Sequence, residues 1–175
     1  HMESTLVGHA RATGLMRLHD YVDEAYLAMR LDRSLSGAMV NHAGVPAMTL
    51  EVGPRRALDL NSVTIMLDAV LRVLGHMGML EHPPHRASDS DEEGWLWRRT
   101  PAPKPTTSGL LVPRVRPGQD FEGGEALAEV RGVLGAVQEV LRAPGPGRVV
   151  TWTSLAWVEP QDSVGMLGIA ERQER

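Results

Sequence analysis

The chain has 175 residues, of which 42% are hydrophobic, with a net charge of −4 and no cysteine. That is enough apolar material for one domain or two small ones. It excludes disulfides, thiolate catalysis and cysteine-ligated zinc, and leaves His, Asp and Glu as the conventional metal ligands. No Lys/Arg cluster sits among aromatic residues, so a nucleic-acid surface has no electrostatic support. No apolar run approaches the roughly 20 residues that span a bilayer, and the start lacks the zones of a signal peptide, so a cytoplasmic location is expected. His1-Met2 reads as the scar of a cleaved tag, which leaves His1 outside the chemistry.

Residues 4–13 have the character of a helix end, and Leu15 to Leu18 that of a short strand entering the polar turn His19-Asp20. Asp23 to Leu31 and Leu35 to His42 are helical in pattern, and Gly44 with Pro46 punctuates the chain before a predicted strand at Ala47 to Val52. That strand would end in Glu51, beside the tight turn Gly53-Pro54. Asp59 can then cap a helix whose apolar positions Val63, Met66, Leu67, Val70, Leu74 and Met77 recur at spacings of three and four, predicting one buried stripe. Gly78 is placed to end it. A strand, a turn and a helix packing back make an α/β layer, in which sites gather at the carboxyl ends of strands, where Glu51 stands.

From Glu81 to Gly94 the chain turns polar, with Pro83-Pro84 and the acidic run Asp89, Asp91, Glu92 and Glu93, and reads as an exposed connector. Residues 95–171 are rich in Val, Leu, Gly and Pro, and predict short strands with one helical turn near Val133 to Val140. The expected organisation is thus an α/β layer over 3–80, a linker over 81–94 and a small β domain over 95–171. Two half-motifs recur in the last part. Ser108-Gly109-Leu110-Leu111-Val112 precedes Val115-Arg116-Pro117-Gly118-Gln119, and Gly147-Arg148-Val149-Val150 precedes Val158-Glu159-Pro160-Gln161-Asp162. This pattern resembles the barrel-sandwich hybrid of biotinyl and lipoyl domains. Such domains carry their cofactor on a lysine at a hairpin tip, whereas Lys104, the one lysine, precedes the first half-motif. The β domain is therefore expected to be structural or lid-forming.

Read together, Ser34-Leu35-Ser36-Gly37-Ala38, the run from Gly44 to Pro54 with its Glu51-Val52-Gly53-Pro54 turn, the helix ending Leu74-Gly75-His76-Met77-Gly78 and the β tail resemble the C-terminal portion of an aspartoacylase/succinylglutamate desuccinylase family protein. The resemblance implies a zinc-carboxypeptidase-like fold and hydrolysis of the amide of N-acyl amino acids or similar small amides. It further implies one zinc held by a His-x-x-Glu pair and a later His, polarising the acyl carbonyl and lowering the pKa of a bound water. A glutamate takes that water's proton, and the corresponding residue is Glu51. No His-x-x-Glu occurs in the chain. No zinc is therefore expected to bind this chain alone, and the expected partner is an N-terminal zinc-binding half, from the same precursor or a separate subunit. A homo-oligomer is a further possibility. The isolated chain is expected to be catalytically silent.

The remaining candidates have plainer explanations. Arg33 suits a bidentate clamp for a substrate carboxylate, but its plainer reading is a surface pair with Asp23 or Asp32. His9, His19 and His42 have no carboxylate at ligand spacing. His82 and His85 read as a solvated loop, and His76 as a packing or capping residue. Trp95 and Trp97 alternate as on one strand face, and with Trp152 and Trp157 fit core packing or a subunit contact. The alternative function is a non-catalytic binding or assembly module derived from the same family.

Overall fold

The computed structural model describes residues 2–19, 21–54, 58–84 and 95–172, with nothing assigned to the side chains of 95, 96, 171 and 172. Most of the predicted connector, including His85 and the acidic run, lies outside the described residues. Two compact units are present, His1–Trp95 and Leu96–Arg175.

The first unit is mainly helical. It holds α1 (Met2–Ala12), a two-residue strand β1 (Leu18–His19), α2 (Asp23–Ala28), a 3-10 turn at Leu31–Arg33, α3 (Leu35–Asn41) and α4 (Leu60–His76). Helix α4 starts as its sequence predicts, since the Asp59 carboxylate accepts from the Ser62 N–H at 2.9 Å and from the Ser62 hydroxyl. It stops at a Schellman motif, in which the Met79 N–H donates to Leu74 O and the Gly78 N–H to Gly75 O, with Gly78 at φ 73°. Helix α1 is fastened to it by Arg72, whose Nε and Nη2 donate to the Thr13 carbonyl at 3.1 and 2.7 Å. Thr13 is buried, so this carbonyl needs a partner, and a forked cation supplies two donors.

Two expectations fail here. Ala47 to Val52 has no regular secondary structure, because a strand needs a neighbouring backbone and none pairs with it among the described residues. The apolar stripe of α4 is also not buried. Ala69 is the one buried residue of the helix, while Val63, Leu67, Val70 and Met77 are exposed and Met66 and Leu74 half-buried. The pattern forecast the helix correctly but not what covers it.

The second unit is two four-strand stacks. The strands are β2 (Trp95–Pro101), β3 (Gly109–Pro113), β4 (Asp120–Phe121), β5 (Ala126–Arg131), β6 (Val137–Arg142), β7 (Gly147–Trp152), β8 (Trp157–Val158) and β9 (Gly165–Arg172). Within this unit one stack runs β2-β9-β7-β4 and the other β6-β5-β3-β8, and they do not close into a barrel. Residues of both, among them Leu111, Leu127, Val130, Val149, Val158 and Leu167, form a single apolar core. The helical turn predicted near Val133 to Val140 is instead a hairpin tip followed by β6. Gly135 at φ 89° turns the chain, and alternation then carries Leu141 into the core.

The two half-motifs correspond strand for strand and interlock. β3 pairs with β5 and with β8, and β7 pairs with β9 and with β4, so each half lends its short second strand to the other half's stack. Their turns match as well. Arg116-Pro117-Gly118-Gln119 and Glu159-Pro160-Gln161-Asp162 are both closed by the fourth N–H donating to the first carbonyl, with φ 84° at Gly118 and 71° at Gln161. In each, the fourth side chain accepts from the first N–H, Gln119 at 3.4 Å and Asp162 at 2.9 Å. Proline second and positive φ third is the signature of a type II turn. No described helix is long and apolar enough to cross a membrane.

Candidate functional site

The N-terminal turn of α3 organises the candidate residues. Ser34 caps the helix. Its hydroxyl oxygen accepts from the Gly37 N–H at 3.1 Å and donates to Leu31 O at 2.7 Å, which also fixes the 3-10 turn that ends in Arg33. Two residues on, the Ser36 hydroxyl lies 3.2 Å from that of Thr49. This contact ties the irregular segment carrying Glu51 to the helix that follows Arg33, so both candidates are brought to the same end of α3. Nothing in the linear pattern signals the Ser36–Thr49 pair, which joins residues thirteen apart across a loop.

Glu51 is exposed, two residues past that tie. On its other side Gly53, at φ 88°, is pressed against the first turn of α4, where an added Cβ would meet the Ser62 Cβ at 2.9 Å. Glu51 is therefore held between two anchors, α3 through Thr49 and α4 through Gly53, although it does not end a buried strand. The adjoining cap is anionic. Hydrogen bonds from Ser62, side chain first and backbone second, hold the Asp59 carboxyl below its ordinary range. Arg33 pairs with Asp32 at 3.8 Å with its side chain 67% exposed, the surface pairing weighed as its plainer role.

Among the described residues no group of three His, Cys, Asp or Glu side chains could hold a metal ion. His9 and His76 meet edge to face, with ring centroids 5.7 Å apart, so His76 packs against α1. His19, His42 and His82 are exposed. In the second unit Trp97 is buried beneath the Arg148 guanidinium at 5.2 Å, and Trp152 packs on the core. Trp157 is 44% exposed and donates to Glu159 at 2.8 Å. Lys104 is exposed in the connection between β2 and β3.

No protein-family model matches the sequence, and no curated protein does. Solved structures match it. A succinylglutamate desuccinylase from Silicibacter sp. TM1040 superposes with a TM-score of 0.72 at 16% identity, over 97% of this chain and 50% of that one. A succinylglutamate desuccinylase/aspartoacylase from Rhodobacter sphaeroides gives 0.69 at 18% identity, over 98% and 51%. The ectoine utilization protein EutE from Ruegeria pomeroyi gives 0.59 at 20% identity, over 76% and 42%. The chain spans about half the length of the structures it matches. Its fold is the one seen in that half of the succinylglutamate desuccinylase and aspartoacylase structures.

Proposed function

We propose that this chain is the C-terminal part of a zinc-dependent amidohydrolase acting on N-acyl amino acids or similar small amides, with Glu51 as its general base. The observation that carries the reading is the fold match, which takes in nearly all of this chain and stops at half of the desuccinylase and aspartoacylase structures. The anchoring of Glu51 between α3 and α4 supports it, because a base must be held in place while remaining open to solvent water. Glu51 takes a proton from the attacking water and returns it to the leaving amine. Arg33, on the same end of α3, serves as a clamp for the substrate carboxylate, since its pairing with Asp32 is long and solvent-exposed.

The described residues do not fit a zinc ion. Their ligand-type side chains never gather in threes, and the one close histidine pair is a packing contact. The ligands belong to the complementing N-terminal half, and the chain works in the cytoplasm on a small-molecule substrate. The second unit is read as a barrel-sandwich-like domain.

The test is co-expression with a complementing half that carries His-x-x-Glu, followed by assay of deacylation of N-succinylglutamate and N-acetylaspartate with and without chelator. The expected result is chelator-sensitive activity that falls by about 10²-fold or more in Glu51→Gln. Activity indifferent to Glu51→Gln overturns the assignment of the base, and its absence with the wild-type chain overturns the enzyme reading in favour of an assembly module.

A further inference from the structure

We infer that Ser36 and Thr49 are positioning residues for the general base, their hydroxyl contact setting Glu51 against the carboxylate clamp Arg33. This deepens the amidohydrolase reading, on which it rests, by naming the device that holds its two substrate-facing groups together.

The protons on the hydroxyls at the head of α3 can be counted. Each hydroxyl carries one proton and two lone pairs. Ser34 commits its proton to Leu31 O at 2.7 Å and accepts from the Gly37 N–H at 3.1 Å, so in its 3.5 Å contact with Ser36 it can only accept. Ser36 is the donor there, and in its 3.2 Å contact with Thr49 the donor is therefore Thr49. The line runs one way, from Thr49 through Ser36 and Ser34 to the carbonyl of Leu31, which opens the 3-10 turn that ends in Arg33. The segment of Glu51 and the turn of Arg33 are thus joined by directed hydrogen bonds, and the Thr49 proton is committed to Ser36 rather than to Glu51.

One end of this line is rigid. A Cβ on Gly37 would meet Leu31 O and, at 2.8 Å, the Tyr26 hydroxyl, so the first turn of α3 is pressed against both the 3-10 turn and α2. The Asn41 side-chain amide donates to that hydroxyl at 3.2 Å and closes the far end of α3 on α2. The other end is held at points. Ala47 to Val52 has no regular secondary structure, and its attachments are the Val45 N–H on Met39 O at 2.9 Å before it, Gly53 on Ser62 after it, and Thr49 between. Thr49 stands two residues from Glu51. A base displaced by about 1 Å can lose about 10²-fold in rate, so the middle attachment acts on catalysis through Glu51.

The experiment measures kcat and KM for deacylation of N-acetylaspartate across pH, using the full chain co-expressed with the complementing half. Thr49→Val removes the hydroxyl and should lower kcat by about tenfold while KM stays within about twofold, because Ser34 still holds the turn that ends in Arg33. Thr49→Ser should restore kcat, and Ser36→Ala combined with Thr49→Val should be no worse than either alone. The acid limb of the pH profile should not move, since Thr49 donates to Ser36 and not to the base. In the full chain alone, amide exchange should quicken over residues 47–52 in Thr49→Val and stay unchanged through α3. Wild-type activity that falls in Glu51→Gln while kcat is unchanged in Thr49→Val overturns the positioning role and spares the amidohydrolase reading. A wild-type complex without activity, or one indifferent to Glu51→Gln, overturns both. A shifted acid limb, a loss that Thr49→Ser does not restore, or exchange over 47–52 that is the same in both proteins also overturns the inference.

Discussion

A Cβ atom on Gly53 would stand 2.9 Å from the Cβ of Ser62, so the turn after Glu51 is closed directly against the first turn of α4. Gly53 also adopts φ 88°, which a side chain resists. Gly53→Ala is therefore expected to destabilise the first unit by about 1–2 kcal/mol. Hydrogen exchange over α4 is the measurement, with faster exchange at its first turn as the local sign.

Ser34 serves two elements at once, capping α3 and closing the 3-10 turn before it. Ser34→Ala should cost about 1 kcal/mol, the usual value of a lost N-cap. Ser34→Asp should recover part of that, because a carboxylate can accept from the Gly37 N–H but has no proton to donate to Leu31 O. Thermal melts of the three proteins decide it.

The core of the second unit is closed, so it should respond to truncation as a packed interior does. Leu127 is fully buried, and Leu127→Ala should cost about 2–5 kcal/mol through lost burial and the cavity left behind. Leu134→Ala, at a side chain 96% exposed, should change stability by less than about 0.5 kcal/mol. Urea unfolding monitored by tryptophan fluorescence separates the two.

Acid should loosen the second unit through its carboxylates. Glu129 is held below its ordinary 4.5 by hydrogen bonds from Arg114 first and Arg131 second. Glu159 is lowered by the Ser108 hydroxyl and then by Trp157. Burial raises Glu139, but donors from Thr106 and Thr107 together outweigh it and the net direction is down. For groups lowered on folding, the stabilisation is present above the unfolded value and disappears as pH falls through the folded one. The urea midpoint should therefore decline below about pH 4.5, and Glu129→Gln should flatten that decline. An unchanged slope in Glu129→Gln would show that Arg114 and Arg131 do not hold the carboxylate in solution.

The matched turns at Gly118 and Gln161 make a paired prediction. Gly118→Ala should cost about 1–2 kcal/mol because it puts a Cβ into the left-handed region, which Gln161 already tolerates. Gln161→Gly should relieve that strain, offset in part by the greater freedom of the unfolded chain, giving a small rise in melting temperature.

What the sequence by itself determined is the local physics. Asp59, the spacing of apolar residues through α4 and Gly78 specify that helix and both its ends, because caps and periodicity act within a few residues. The Pro-Gly and Pro-Gln turns, with the strands before them, disclosed the internal correspondence of the second unit for the same reason. Tertiary structure alone decided what pairs with what. It exchanged β4 and β8 between the two stacks, tied Ser36 to Thr49, and left Ala47 to Val52 without a strand partner and the α4 stripe without cover. Periodicity records that a face is apolar, but burial depends on a second surface arriving from elsewhere, and no pattern within one segment encodes that arrival.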